Sequence, residues 1–134
     1  FSPELQEVGW LGDATTVEVG ARFSGRNQND QRGEWITESE VTEHEPGRRW
    51  VWQVSGQEGV MATWGFELDP GRDSVTIRQW GRMGPARSGL SAFIDADPER
   101  EGRVISWRLD QWRASMAETL EGVKQILEGP AERA

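Results

Sequence analysis

Few side chains in this sequence carry obvious chemistry, and each has a plainer use. His44 is the single histidine and has the intrinsic pKa of a general base. It sits in "EHEPG", beside Pro46 and Gly47, which places it in a turn at the rim of a sheet, solvated and without a fixed partner. Asp95, Asp97, Glu99 and Glu101 form an acidic run whose oxygens would suit a hard cation. Their spacing fits no metal loop, and acids that open a helix are accounted for by its dipole, so no metal is expected. Arg82 and Arg87 flank a Gly- and Pro-containing loop, where they could meet an anionic head group or an enolate, although arginine is ordinary on any surface. The absence of cysteine excludes disulfides, thiolate catalysis and thiolate-bound metal. There is no Gly-rich phosphate loop after a strand and no GxSxG elbow. No cofactor is expected.

The unusual resource is indole. The 134 residues include eight Trp and no Tyr, while mean hydropathy is −0.71, so the apolar material is concentrated in a few large rings. Such rings fill a core or line a cavity for a flat, greasy ligand. The formal charge of −8, from 15 basic and 23 acidic side chains, argues against nucleic acid as a partner. No apolar run approaches the roughly 18 residues of a membrane span, and no signal peptide is visible. A cytoplasmic protein without a membrane span is expected.

The elements that must position the rings follow from periodicity. "TVEVGARFSG" puts Val17, Val19, Ala21 and Phe23 on one face of a strand. After the turn cluster "NQNDQRG", Trp35, Thr37, Ser39 and Val41 alternate with charged residues. Trp50, Trp52 and Val54 align next, then Ala62, Trp64, Phe66 and Leu68, then Val75, Ile77 and Gln79. Short turns between five such strands force an antiparallel meander with one apolar face. Asp97 and Pro98 then start a helix running from about 98 to about 128, with Ile105, Leu109, Trp112, Met116, Leu120, Val123 and Leu127 in one stripe. Gly129 and Pro130 stop it. At roughly 45 Å it would cross the whole sheet. Before it, Ser88 caps a short lid-like helix holding Leu90 and Phe93. The opening "FSPELQEVGW" reads as a turn or helix start, with Ser2 as cap and Pro3 in the first helical position.

A twisted sheet and one long helix that cannot close everywhere leave a cavity between them. The inward side chains are Phe23, Trp35, Thr37, Ser39, Trp52, Trp64, Phe66 and Gln79 from the sheet, Phe93 from the short helix, and Trp112 and Met116 from the long one. These are the expected ligand-binding residues. The polar ones among them need partners that a ligand or water would supply. No catalytic residue stands out.

The order of meander, loop and long helix resembles the helix-grip fold of the START or SRPBCC superfamily. "VGARFSGRN", "VTEHEPGRRWVWQV", "WGFELDP", "SVTIRQW" and "GPARSGLSAFIDADPEREGRVISWRL" resemble its bacterial polyketide cyclase/dehydrase-like branch. The resemblance implies an α+β fold in which a curved antiparallel sheet wraps around the long C-terminal helix and encloses a cavity. It also implies a single domain over 1–134 that is incomplete at the N-terminus, because a first strand and short helices precede "SPE" in that family. The function expected is binding of a hydrophobic or polycyclic small molecule such as a lipid, quinone or polyketide. The alternatives are a cyclase- or dehydratase-like enzyme, or a module that docks a protein partner on an exposed apolar patch. A bare sheet edge and exposed rings favour a homodimer.

Overall fold

The structure is a computed structural model and describes residues 2–129. Within them lie strands β1 (Leu5–Trp10), β2 (Arg22–Asn29), β3 (Gly33–Glu45), β4 (Arg49–Gly56), β5 (Gly59–Pro70) and β6 (Val75–Met83). Helix α1 (Gly89–Ala96) follows, then a single 3-10 turn at Pro98–Arg100 and helix α2 (Glu101–Glu128). The strands pair in sequence order, each antiparallel to the next. The result is an α+β fold in which a curved, unclosed antiparallel sheet faces one long helix. The β3–β4 turn holds Gly47 at φ 75°, a left-handed conformation that its neighbours would adopt only with strain. Register shifts at Val41/Glu43 and Val54/Ser55 insert extra residues into the ladder and bend it. The sheet is thereby concave toward the helices.

The opening segment departs from expectation. Leu5 N–H donates to the Ser2 carbonyl at 3.2 Å, so the turn is present, but a strand follows it and no helix does. β1 pairs with β2 and sets Trp10 edge-on to Phe23, ring centroids 6.1 Å apart. It escaped the period-two reading because its register shifts between Leu5 and Glu7. Leu5 and Val8 therefore reach the same side although they are three positions apart. Val17 and Val19 lie before β2, outside any strand, and Val19 is exposed. Only Ala21 and Phe23 of that predicted face turn inward. Ala21 is buried where its carbonyl accepts from Val41 N–H at 2.9 Å.

The helices hold closer to expectation. Ser88 caps α1, accepting from Leu90 N–H while Ser91 Oγ accepts from Ser88 N–H, a reciprocal box. Asp97 places no side-chain cap on the following turn. Its carboxylate pairs with Arg100 Nε at 3.2 Å, and α2 proper begins at Glu101. Of the α2 stripe, Trp112 is buried, whereas Leu127 is 70% exposed because the C-terminal turns of the helix carry on past the cover of the sheet. Gly129 ends the described helix in a right-handed conformation, φ −57°, with its N–H on the Gln125 carbonyl. Pro130 lies outside the described residues.

Two Trp–Gly pairs lock β5 to β6 from opposite sides. Trp80 lies over Gly65 on the convex face, so closely that a Cβ on Gly65 would stand 2.5 Å from the indole. Trp64 lies over Gly81 on the concave face, where a Cβ would stand 2.7 Å from the ring. Val51, opposite Gly65 on β4, is 2% exposed under the same convex plate. The outer face thus has an apolar strip of its own, with Arg49 Cζ 5.7 Å from the Trp80 ring centre.

Candidate ligand cavity

Between the concave face and the two helices lies a partly open cavity of about 410 Å³. Each side chain named from the sequence lines it. β2 contributes Phe23, β3 Trp35, Thr37 and Ser39, β4 Trp52, β5 Trp64 and Phe66, and β6 Gln79. Phe93 comes from α1, and Trp112 and Met116 from α2. Alternation brings the strand residues to one face, and sheet register does the rest. Trp50, Phe66 and Gln79 are consecutive across β4, β5 and β6, and Trp52 and Trp64 face each other one step along.

The floor is a continuous aromatic surface. Trp50 and Trp52 approach to 4.6 Å between centroids, and Phe66 stacks at 5.8 Å from each. Phe23 lies 6.3 Å from Trp52. Trp64 meets Trp112 at 4.3 Å, which ties the sheet to α2 across the gap. Two polar atoms at this floor, Gln79 Oε1 and Trp50 Nε1, are buried without a hydrogen-bond partner among the described residues. Such orphaned groups cost on the order of 1–3 kcal/mol each. Thr37 is better satisfied, since its hydroxyl donates to the Gly25 carbonyl at 3.5 Å and accepts from Asn27 Nδ2 at 3.4 Å.

A charged cluster at another part of the cavity wall was not expected. Arg108 of α2 grips Glu4 with two hydrogen bonds, Nη1 to Oε2 at 2.8 Å and Nη2 to Oε1 at 3.1 Å. Both side chains are less than one-fifth exposed, at 17% and 18%. Asn29 Nδ2 donates to Glu4 at 2.7 Å, and Gln111 Oε1 accepts from Arg108 at 2.8 Å. Burial works against the charge on Glu4, but the hydrogen bonds from Arg108 and Asn29 and the charges of Arg108 and Arg32 outweigh it and hold the carboxyl below its usual range. Arg32 completes the group, with its guanidinium 4.4 Å above the Trp35 ring. The partners are 104 residues apart in sequence, so no spacing rule could have paired them. The one available signal was an Arg on the helix face beside the inward stripe.

Other candidates resolve as structure. His44 lies in β3 opposite Trp50, not in the turn, and does not line the cavity. Asp95 pairs with Arg87, which also approaches Glu58 at 4.0 Å. Arg82 stands opposite Thr63 in a shallow depression elsewhere. The cavity's arginines are therefore Arg32 and Arg108 rather than Arg82 and Arg87. No helix among the described residues is long and apolar enough to cross a membrane.

A six-stranded antiparallel sheet gripping a long C-terminal helix, with a ring-lined hollow between them, defines a helix-grip protein. The solution NMR structure of a polyketide cyclase-like protein from Corynebacterium glutamicum is similar to it, with a TM-score of 0.65 and 28% identity, covering 99% of this chain and 77% of that one. The chain fits the polyketide cyclase-like branch of the SRPBCC superfamily. No protein-family description and no curated protein matches the sequence significantly.

Proposed function

We propose that this protein binds a hydrophobic or polycyclic small molecule, of the lipid, quinone or polyketide kind, between the sheet and α2. The observation that carries this reading is the aromatic floor left facing a cavity of about 410 Å³. A core built only for stability would close over such rings, because each buried aromatic adds contact area that an open space forfeits. The orphaned Gln79 Oε1 and Trp50 Nε1 point the same way, as polar groups held ready beside an apolar surface. Covering ~150–250 Å² of a flat ring system at ~25 cal/mol per Å² contributes about 4–6 kcal/mol before the cost of association.

A cyclase- or dehydratase-like enzyme is the second reading. It is favoured by the name of the structural neighbour and by a carboxylate, Glu4, in the cavity wall. A general acid or base works best with a pKa near the working pH. Glu4 is displaced in the other direction, toward permanent charge, and its oxygens are already engaged by Arg108 and Asn29. Binding therefore explains the site with fewer requirements. The neutral probe N-phenyl-1-naphthylamine tests it: quenching of Trp fluorescence should saturate at one probe per chain, and Trp64→Ala should weaken it about tenfold. Quenching that rises without saturation would remove the defined site.

A further inference from the structure

We propose that the ligand carries a carboxylate, and that Arg32 is the group that recognises it. The inference rests on the ligand-cavity reading and adds the chemical class of the ligand. Arg32 stands in the β2–β3 turn and lines the cavity. Its backbone is anchored, because its N–H donates to Asn29 Oδ1 at 2.8 Å, and Asn29 is itself tied to Glu4. Its guanidinium lies over Trp35, another lining residue, which fixes the plane of the fork.

The N–H groups of that fork meet no acceptor among the described residues. Glu4 is engaged by Arg108 and Asn29, Glu34 by Arg26 at 3.7 Å, and Asp30 of the same turn forms no ion pair with Arg32. Its neighbours raise its need for an anion. Burial and the charge of Arg108 both lower the Arg32 pKa, and Glu4 offsets this only in part. Counting Arg32, Arg108 and Glu4, the local charge is +1 on a protein whose formal charge is −8. One monoanion brings the cluster to neutrality. A planar carboxylate matches the free edge of a guanidinium with two parallel hydrogen bonds. Attached to an apolar body, it would place that body on Trp35 and the aromatic floor. The backbone leaves room for the arm, since Arg32 runs against Gly89 at the start of α1, where any Cβ would collide with the guanidinium.

The test is calorimetric titration at neutral pH with 2-naphthoate and its uncharged isostere 2-naphthamide. The wild type should bind both, naphthoate about tenfold more tightly, and that preference should fall with added salt. In Arg32→Gln the preference should collapse toward unity. In Arg72→Gln, which removes the same charge from the β5–β6 turn, it should persist. Equal binding of the two probes by the wild type, or an undiminished preference in Arg32→Gln, overturns the carboxylate assignment and leaves the cavity reading standing. A loss of preference in Arg72→Gln equal to that in Arg32→Gln overturns it as well, by assigning the effect to net charge. Failure of either probe to bind, together with unsaturable quenching by N-phenyl-1-naphthylamine, removes the cavity reading and the assignment with it.

Discussion

The aromatic floor and the charged rim line the same cavity and are built by opposite means. Trp50, Trp52, Phe66 and Gln79 come from adjacent strands and meet because antiparallel register sets them side by side. Glu4, Asn29, Arg32 and Arg108 come from the segment before β1, the end of β2, the turn after it and the long helix, and meet only when the whole domain has closed. The floor is held by contact area, which is insensitive to salt and pH. The rim is held by charge and directed hydrogen bonds, which are sensitive to both. Contact area and charge are thus separated in space and can be perturbed one at a time.

The largest effect should come from the floor's tie to the helix. Trp112 is the buried residue of α2 and meets Trp64 at 4.3 Å. Trp112→Ala should cost about 3–5 kcal/mol in urea unfolding, and a loss below 1 kcal/mol would mean that α2 is held by other contacts. At the rim, Glu4→Gln should cost about 2 kcal/mol, because it leaves Arg108 short of its counter-charge. It should also change the pH profile. The Glu4 carboxyl is depressed in the folded state, so its contribution is complete above the ordinary Glu pKa and is lost as pH falls through the lower folded value. Wild type should therefore lose this increment on acidification, and Glu4→Gln should not. Parallel profiles would show that the pair contributes nothing in solution.

Smaller effects sharpen the contrast. Gln79→Leu removes an orphaned acceptor from the floor, so stability should stay level or rise by up to about 1 kcal/mol while binding of polar-substituted ring compounds weakens. A stability loss like that of Trp112→Ala would show Gln79 to be structural. Smallest of all, Gly89→Ala should push the Arg32 guanidinium aside and lower the naphthoate preference about two- to threefold, since the far end of a flexible side chain can yield. An unaltered preference would show that Gly89 does not set the position of the arm.

Particular residues show where the sequence could be read and where it could not. The register shifts at Val41/Glu43 and Val54/Ser55 fall between the runs Trp35–Val41, Trp50–Val54, Ala62–Leu68 and Val75–Gln79, and alternation holds within each run, so the inward set from Trp35 to Gln79 was visible. β1 was hidden because its register shift breaks the alternation between Leu5 and Val8. Trp80 faces outward, and its packing over Gly65 depends on a cross-strand partner fifteen positions earlier in the chain. His44 stands in the strand and not in the turn that the Pro46–Gly47 signal implied, because β3 continues to Glu45 before the chain reverses.

Local periodicity determined the meander, the short capped helix, the long C-terminal helix and the face on which the rings lie, because strand and helix geometry fix which neighbours in sequence share a side. Only the tertiary structure decided that Glu4 and Arg108 pair, that Arg32 is left without a carboxylate partner among the described residues, and that the rings border an open space. Those outcomes depend on distances between elements far apart in the chain, and burial and charge energies act through space whatever the sequence separation.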